Sequence, residues 1–240
     1  MALPTAPTTG HTVKSFDEDL RALRSMIARM GGLARKQLDD ATEALLSSDV
    51  EAAEAIIRKD RDLDEMEMEA EAYAISIIAR RAPLAGDLRE VIAALKIGSI
   101  IERVGDYAKN NARRTSVLAG QISRDVHPGI AEIARMASQL FDDALTAFAQ
   151  RDPFLSLEVC DGDEAIDDYY ESLFQALLTQ IAEDSTRTAS ATHFIFIIKN
   201  LERVGDHATN IAEMVHYSAT GEHISERPKG GDATEISLPL

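Results

Sequence analysis

The sequence has few of the residues that mark turns, sheets and disulfide-bonded scaffolds. Its 240 residues include no Trp, 5% aromatic residues, 13 Gly and 7 Pro. An all-β fold with frequent Gly and Pro turns is therefore not expected, and the composition is typical of long helices. Cys160 is the only cysteine, so no internal disulfide can form, and a reducing compartment is indicated.

Long apolar runs are also missing. No unbroken run is longer than the one from Phe194 to Ile198, whereas roughly 20 apolar residues are needed to span a bilayer. The segment from Met1 to Thr12 has neither the basic residues nor the apolar run of a secretory signal. We therefore expect a cytoplasmic protein without direct membrane insertion.

Acidic residues outnumber basic ones by 41 to 25, which gives a formal net charge of −16. Such a charge repels phosphate backbones and anionic lipid surfaces, so nucleic acid is not expected as a partner. Any association with a membrane is expected to go through basic surfaces of partner proteins.

An internal repeat is the strongest organisational feature. The segment 101–106, IERVGD, is nearly reproduced at 201–206 as LERVGD, and upstream the match resumes at an offset of 103 residues. Similarity that keeps one register over so long a stretch predicts two copies of one helical unit.

Local signals divide each repeat into three helices. Asp49 and Asp152 occupy matching positions and suit helix N-caps, and Pro153 suits the first helical turn. Gly120 and Gly221 suit helix C-termini. The expected helices are 15–47, 50–81, 87–118, 129–150, 153–182 and 189–218.

These helices predict an all-α protein made of two tandem, pseudo-symmetric three-helix bundles. In the sixth helix, apolar residues recur at spacings of three and four from Phe194 to Val215, which indicates a core-facing stripe. The expected organisation is a flexible N-terminal tail (1–14), one bundle (15–120), a second bundle (121–220) and a flexible C-terminal tail (221–240).

Oxygen-bearing side chains form a stripe on the third helix of each repeat. The stripes have members at i, i+4 and i+8, which places them on one helix face: Glu102, Asp106, Asn110 and Glu202, Asp206, Asn210. Counting from the predicted turns places acids of the second helices at the same level: Asp60, Asp64, Glu67 and Asp163, Asp167, Glu171. Small residues of the first helices, such as Gly31 and Ser138, should lie opposite these acids and leave room for something between the helices or against another surface.

Clustered carboxylates need protons, basic partners, solvent or a metal ion. The paired stripes favour metal binding, and their oxygen ligands suit Mg²⁺, Ca²⁺ or Mn²⁺, or iron where carboxylates bridge several ions. The pattern does not identify the element, and Zn²⁺ belongs among the ions to be tested. The alternative is a solvated acidic face neutralised by Arg103 and Arg203. No Gly-rich phosphate loop, Ser-His-Asp pattern or Cys/His zinc spacing is present, so an enzyme is not expected.

The duplicated Glu-Arg-Val-Gly-Asp followed by Asn resembles the PhoU family of phosphate-uptake regulators. The similarity runs from about Phe16 to Thr220. It implies two three-helix bundles related by pseudo-twofold symmetry, with multinuclear metal sites on the striped helices of some members. One departure is that Tyr170 stands where the first repeat has Glu67, so Glu171 could take that place only after a one-residue rotation.

The resemblance also implies a function. It implies a homodimeric cytoplasmic accessory protein that restrains phosphate uptake and represses the phosphate-starvation response. Such a protein would act through the ATPase subunit of the phosphate ABC transporter and a membrane-bound sensor histidine kinase. Two alternatives remain open at this point: a carboxylate-bridged metalloenzyme on a helical bundle, and a purely structural helical scaffold.

Overall fold

Within the described residues the chain forms six long α-helices, as the sequence predicts. The computed structural model describes residues 9–119 and 126–224. The helices are α1 (Thr9–Ser47), α2 (Val50–Arg81), α3 (Ala85–Leu118), α4 (His127–Gln150), α5 (Pro153–Glu183) and α6 (Thr188–Thr220), with a 3₁₀ turn at Ser185–Arg187. Helix α1 thus begins before the expected residue 15. The expected helix end at Gly120, the boundary between the repeats, and residues 1–8 and 225–240 of the expected tails lie outside the described residues.

Side-chain caps define the starts of the second helix in each repeat. Asp49 accepts a hydrogen bond from the backbone N–H of Ala52 at 2.9 Å. Asp152 accepts from two N–H groups, at 2.8 and 3.2 Å, and Pro153 follows it in the first turn of α5. Since the first N–H groups of a helix have no intrahelical acceptor, both aspartates satisfy donors that would otherwise need water.

Left-handed residues end several of the helices. Ala82 at the end of α2 has φ 45°, and its N–H donates to the carbonyl of Ile78. Gly221 ends α6 at φ 82°, where glycine is free of the Cβ clash that other residues meet. The expected helix end at Gly221 is therefore confirmed.

Apolar stripes of the helices meet in two bundles that share one core. Helices α1, α2 and α3 pack together, as do α4, α5 and α6, while α3 packs on α6 and α1 on α4. The stripe predicted for α6 is buried at every position, from Phe194 at 3% exposed to Val215 at 1%. Burying such stripes is the main driving force for this fold.

Equivalent residues of the two repeats meet where the bundles join. Tyr107 of α3 stacks on His207 of α6, with ring centroids 5.5 Å apart, and these residues occupy matching places in the repeat. Arg35 of α1 likewise donates to the carbonyl of Ser138 of α4, its counterpart, at 3.0 Å. Because these contacts join equivalent residues, an approximate twofold axis relates the repeats and passes between α3 and α6 and between α1 and α4.

Polar contacts tie the two bundles together within this apolar junction. Asn200 of α6 donates to Asn111 of α3 at 2.8 Å, and both side chains are buried. Glu90 of α3 is 3% exposed and pairs with Arg24 at 3.1 Å and with Arg151 at 3.3 Å. Because an unpaired buried carboxylate is costly, Glu90 favours the arrangement in which both arginines reach it.

The space expected beside the small residues of α1 is filled by α4. A Cβ at Gly31 would lie 2.6 Å from both methyl groups of Leu145, so glycine there allows the two helices to approach. Ser138 is 2% exposed and donates to Asp39 at 3.0 Å. Of the two expectations for these small residues, contact with another surface is therefore the one observed, and counting along the helices could not show that this surface belongs to the second bundle.

Candidate functional site

The first acidic cluster lies where α2 and α3 face each other. Glu102 has its pKa raised to about 7, because burial disfavours its charge and four carboxylates lie near it: Asp106, Glu67, Asp64 and Asp60. The structure therefore brings these acids of the two predicted stripes together. Asn110, the remaining member, accepts a hydrogen bond from Arg113 at 3.3 Å on the exposed side of α3.

A lysine that the sequence reasoning missed lies in this cluster. The ammonium group of Lys109 contacts Asp60 of α2 at 2.5 Å and Asp106 of α3 at 2.8 Å. These two carboxylates raise the pKa of Lys109 above its ordinary value, although burial opposes the rise. A spacing of three residues from Asp106 on one helix was the available sequence signal.

The second acidic cluster lies between α5 and α6. The pKa of Asp163 is raised to about 7, with burial as the largest cause and the charges of Asp167, Asp206 and Glu202 adding to it. Burial and Asp206 also raise the pKa of Asp167. These four predicted acids are thus brought together.

The two remaining residues predicted for the second site have other contacts. Glu171 accepts a hydrogen bond from Gln175 at 2.8 Å on the exposed face of α5. The amide of Asn210 lies 3.5 Å from the ring of His207. Neither contact directs the side chain toward the four clustered carboxylates of this repeat.

A second lysine pairs with the second cluster from a different position. Lys199 donates to Glu202 at 2.6 Å and lies 5.0 Å from the centre of the Tyr170 ring. Glu202 is 8% exposed, and burial raises its pKa while the bond from Lys199 lowers it. Tyr170, the departure from the repeat pattern, therefore contacts the lysine that pairs with this cluster.

Some oxygens of the second cluster are buried without a hydrogen bond. They are Oδ1 of Asp163 and Oε2 of Glu202. The hydroxyl of Thr209 is near enough to lower the pKa of Asp163, yet it makes no hydrogen bond of good geometry with that residue. Buried oxygens of this kind favour a proton or a cation beside them.

Glycines in the repeated motif allow the close approach of the helices that carry the acids. A Cβ at Gly205 would lie 2.8 Å from Asp163 Oδ1, and a Cβ at Gly105 would clash with Leu63 of α2. Glycine in a helix interior costs about 1 kcal/mol relative to Ala. The helix pairs gain contact between the two acid-bearing faces in return.

The arginines expected to neutralise the stripes do not do so. Within the described ranges, neither Arg103 nor Arg203 has an ion pair with a carboxylate, and Lys109 and Lys199 take that place. Both arginines instead lie near His207, where burial and the charge of Arg103 are the largest causes of its lowered pKa. His207 is itself half-buried, and its Nε2 lies 3.2 Å from the hydroxyl of Tyr107.

The donor set is suited to a hard cation, but the side chains are not arranged around one. Among residues 9–119 and 126–224, no group of three or more His, Cys, Asp or Glu side chains has the arrangement of a metal site. At both clusters, a lysine ammonium group occupies a place beside the carboxylates that a metal cation could take. The acids therefore fit a metal in their chemistry, and the lysines and carboxylates would have to move before they could surround one.

Comparison with known proteins identifies the family. The profile of the PhoU domain matches residues 27–115 and 130–215, which correspond to the two repeats. The chain belongs to the PhoU family. The resemblance noted in the sequence is thereby confirmed.

Relatives match the chain over nearly its whole length. The phosphate-specific transport system accessory protein PhoU homolog of Zymomonas mobilis is 49% identical over 227 residues, covering 95% of this chain and 96% of the relative. The homolog of the same name in Rhizobium meliloti is 42% identical over 221 residues, covering 91% and 93%.

Solved structures of the family share the fold. The crystal structure of PhoU from Pseudomonas aeruginosa matches with a TM-score of 0.83 at 35% identity, covering 86% of this chain and 100% of that chain. The crystal structure of the phosphate transport system regulatory protein PhoU from Streptococcus pneumoniae matches with a TM-score of 0.81 at 28% identity, covering 88% of this chain and 100% of that chain. These matches confirm the predicted all-α fold class.

The helices were also compared with the length and hydropathy of membrane spans. None of the helices in the described parts of the chain is both long and apolar enough to cross a membrane.

Proposed function

We propose that this chain is an accessory regulator of phosphate transport. The observation that supports this most strongly is its 49% identity, over 95% of its length, to a phosphate-specific transport system accessory protein. In the proposal the chain acts in the cytoplasm, as a homodimer, to restrain phosphate uptake and to repress the phosphate-starvation response. Its partners are the ATPase subunit of a phosphate ABC transporter and a membrane sensor histidine kinase.

The charge of the chain supports action through protein partners. A net charge of −16 attracts basic surfaces over several ångströms and speeds encounter with them. Exposed apolar side chains such as Phe154, at 76% exposed, and Met68, at 60%, offer contact area at the helix surfaces. The chain would therefore act by binding and not by catalysis.

Complementation tests the regulatory proposal. The chain is expressed in a bacterium whose own PhoU-family gene is deleted, with a reporter driven by a phosphate-starvation promoter. In phosphate-rich medium the chain should return the reporter to its repressed level. A reporter that remains fully active, with the chain present in normal amount, would contradict the proposal.

We also propose that the two acidic clusters bind metal ions. The supporting observations are the hard oxygen donors, the buried oxygens of Asp163 and Glu202 without hydrogen bonds, and the ammonium groups that already stand beside the carboxylates. A bound ion would supply positive charge that offsets the mutual repulsion of the acids. Magnesium, calcium, manganese and zinc ions, and iron, are the candidates.

In this metal proposal, the acids are the ligands and the glycines of the repeated motif allow the helices to approach. Carboxylates on facing helices would hold the ion, and the glycines of the motif would keep those helices close enough for both to reach it. The acids that the structure brings together are the ligands proposed: Asp60, Asp64, Glu67, Glu102, Asp106, Asp163, Asp167, Glu202 and Asp206. Asn110, Asn210 and Glu171 would join only after their present contacts break.

Elemental analysis tests the metal proposal. The full chain is purified without chelator beside the Asp106→Ala, Asp206→Ala double variant, and metal content is measured by mass spectrometry. The matched control removes two exposed acids of α2 and α6, Glu71→Ala and Glu213→Ala. Metal is expected in the wild type and control and should be lost in the double variant. Equal metal content in all three proteins would contradict the site assignment.

A further inference from the structure

Each acidic cluster contains one lysine, and the two lysines stand at different places in the repeat. Lys109 follows Asp106 by three residues on α3, and Lys199 precedes Glu202 by three residues on α6. The counterpart of Lys109 in the second repeat is Thr209, and the counterpart of Lys199 in the first repeat is Ser99. The repeats therefore agree in four of their clustered acids, with Tyr170 in the place of Glu67, and differ in the positions of their lysines.

The two lysines pair with acids at different positions of the repeat. Lys109 bridges Asp60 of α2 to Asp106 of α3, so it ties two helices through one ammonium group. Lys199 contacts a single carboxylate, that of Glu202, within its own helix. The acids without a lysine contact differ accordingly: Glu102 is one of them in the first cluster, and Asp163 is one of them in the second, where the neutral Thr209 stands in the place of Lys109.

We propose that Lys109 and Lys199 are built-in competitors of metal binding, and that each must leave its carboxylates before a cation can occupy its cluster. This inference rests on the proposed metal-binding function and adds to it the residues that regulate the two sites. The ammonium groups lie 2.5 to 2.8 Å from carboxylate oxygens, so a metal ion could not use the same oxygens without displacing them.

The two competitors are unequal in strength. Displacing Lys109 breaks contacts with two carboxylates, and its side chain is 20% exposed. Displacing Lys199 breaks contact with one carboxylate, and its side chain is 38% exposed, so water replaces the lost contact more readily. Removing Lys109 should therefore change metal affinity more than removing Lys199 does.

The competition predicts the direction and the size of the change in metal affinity when a lysine is substituted. Removing an ammonium group from a half-buried cluster removes its repulsion toward an incoming cation, and about tenfold tighter binding, equal to about 1.4 kcal/mol, is the expected scale. Lys109→Met keeps the aliphatic stem and removes the charge. Lys109→Arg keeps the charge and should leave the affinity close to that of the wild type.

Binding of Mn²⁺ to the chelator-treated full chain tests the inference. Free Mn²⁺ is followed by electron paramagnetic resonance during titration, and the first cluster is isolated by placing every variant in an Asp206→Ala background. Lys109→Met should bind Mn²⁺ about tenfold more tightly than this background protein. Lys96→Met, which removes an exposed lysine of the same helix, should leave binding unchanged.

The converse substitution tests the second cluster. In an Asp106→Ala background, Thr209→Lys places an ammonium group next to Asp163 and should weaken Mn²⁺ binding about tenfold. Lys199→Met should strengthen binding in the same background, by a smaller factor than Lys109→Met in the first cluster. Helicity measured by circular dichroism shows that each variant remains folded.

The outcomes separate the inference from the function on which it rests. Tight Mn²⁺ binding that is equal in Lys109→Met and its background protein would overturn the competition and leave the metal proposal intact. Weaker binding by Lys109→Met would likewise overturn it and would make the lysine a structural support. No Mn²⁺ binding by any of the proteins would overturn both the inference and the metal proposal.

Discussion

Removing the charge of Asp163 should stabilise the metal-free protein, and most strongly in alkaline solution. The pKa of this carboxyl group is raised from 3.8 to about 7, with burial as the largest cause and the neighbouring acids adding to it. The folded protein therefore holds this proton at pH values where the unfolded chain has released it. The stabilisation that this group contributes is fully present below a pH of 3.8. It is lost as the pH rises from 3.8 to about 7, and it stays lost at higher pH.

The size of the effect follows from the shift. A rise of about three pKa units corresponds to at most about 4 kcal/mol of destabilisation once the group is ionised. The side chain is partly exposed, so solvent screening reduces this to about 2 kcal/mol. Asp163→Asn removes the charge with little change in shape. It should raise the free energy of unfolding by about 2 kcal/mol at a pH of about 8, and by less than half as much at about 5.

Urea unfolding in the presence of chelator measures this difference. Wild type and Asp163→Asn are compared at both pH values, and Glu71→Gln serves as the control because Glu71 lies exposed on α2. The control should have the same stability as the wild type at both pH values. An equal effect of Asp163→Asn at the two pH values, or a loss of stability in alkaline solution, would refute the reasoning about burial and charge.

Three further substitutions test the packing that positions the site. Gly105→Ala should lower the free energy of unfolding by about 1 kcal/mol in thermal or urea unfolding, because the clash of the new Cβ with the buried side chain of Leu63 outweighs the better helix propensity of Ala; an unchanged stability would show that the helices do not approach so closely. Asn111→Ala should cost about 1 to 3 kcal/mol by leaving Asn200 buried without its partner, and a double-mutant cycle that shows no coupling would contradict the bond. Asp152→Ala should cost about 1 kcal/mol through loss of the N-cap, and the same melting temperature as the wild type would refute that role.

Features of the fold that depend on local chemistry were predictable from the sequence. Asp49 and Asp152 are N-caps because a short acidic side chain can reach the first N–H groups of the helix that follows it. The repeat and the apolar periodicity gave the number of helices and their approximate bounds. The acids of α2 and α3 could be matched by counting because antiparallel helices rise equally along the chain.

Features that depend on how particular side chains of different helices pack were not predictable in this way. Leu145 of α4 fills the space beside Gly31, and nothing in either helix alone indicates that the two meet. Arg103 sits next to Glu102 in sequence, but adjacent helical residues point about 100° apart, and its charge lies near His207 instead. The role of Lys109 required knowing that α2 brings Asp60 within 2.5 Å of its ammonium group.

Phosphate uptake tests the central claim most directly. Radiolabelled phosphate uptake is measured in phosphate-rich cells that lack their own PhoU-family gene, with and without this chain and with the Asp106→Ala, Asp206→Ala double variant. The account predicts that the wild-type chain lowers the uptake rate and that the double variant does so less. Uptake that is the same with and without the wild-type chain, at normal expression, would contradict its assignment as a regulator of phosphate transport.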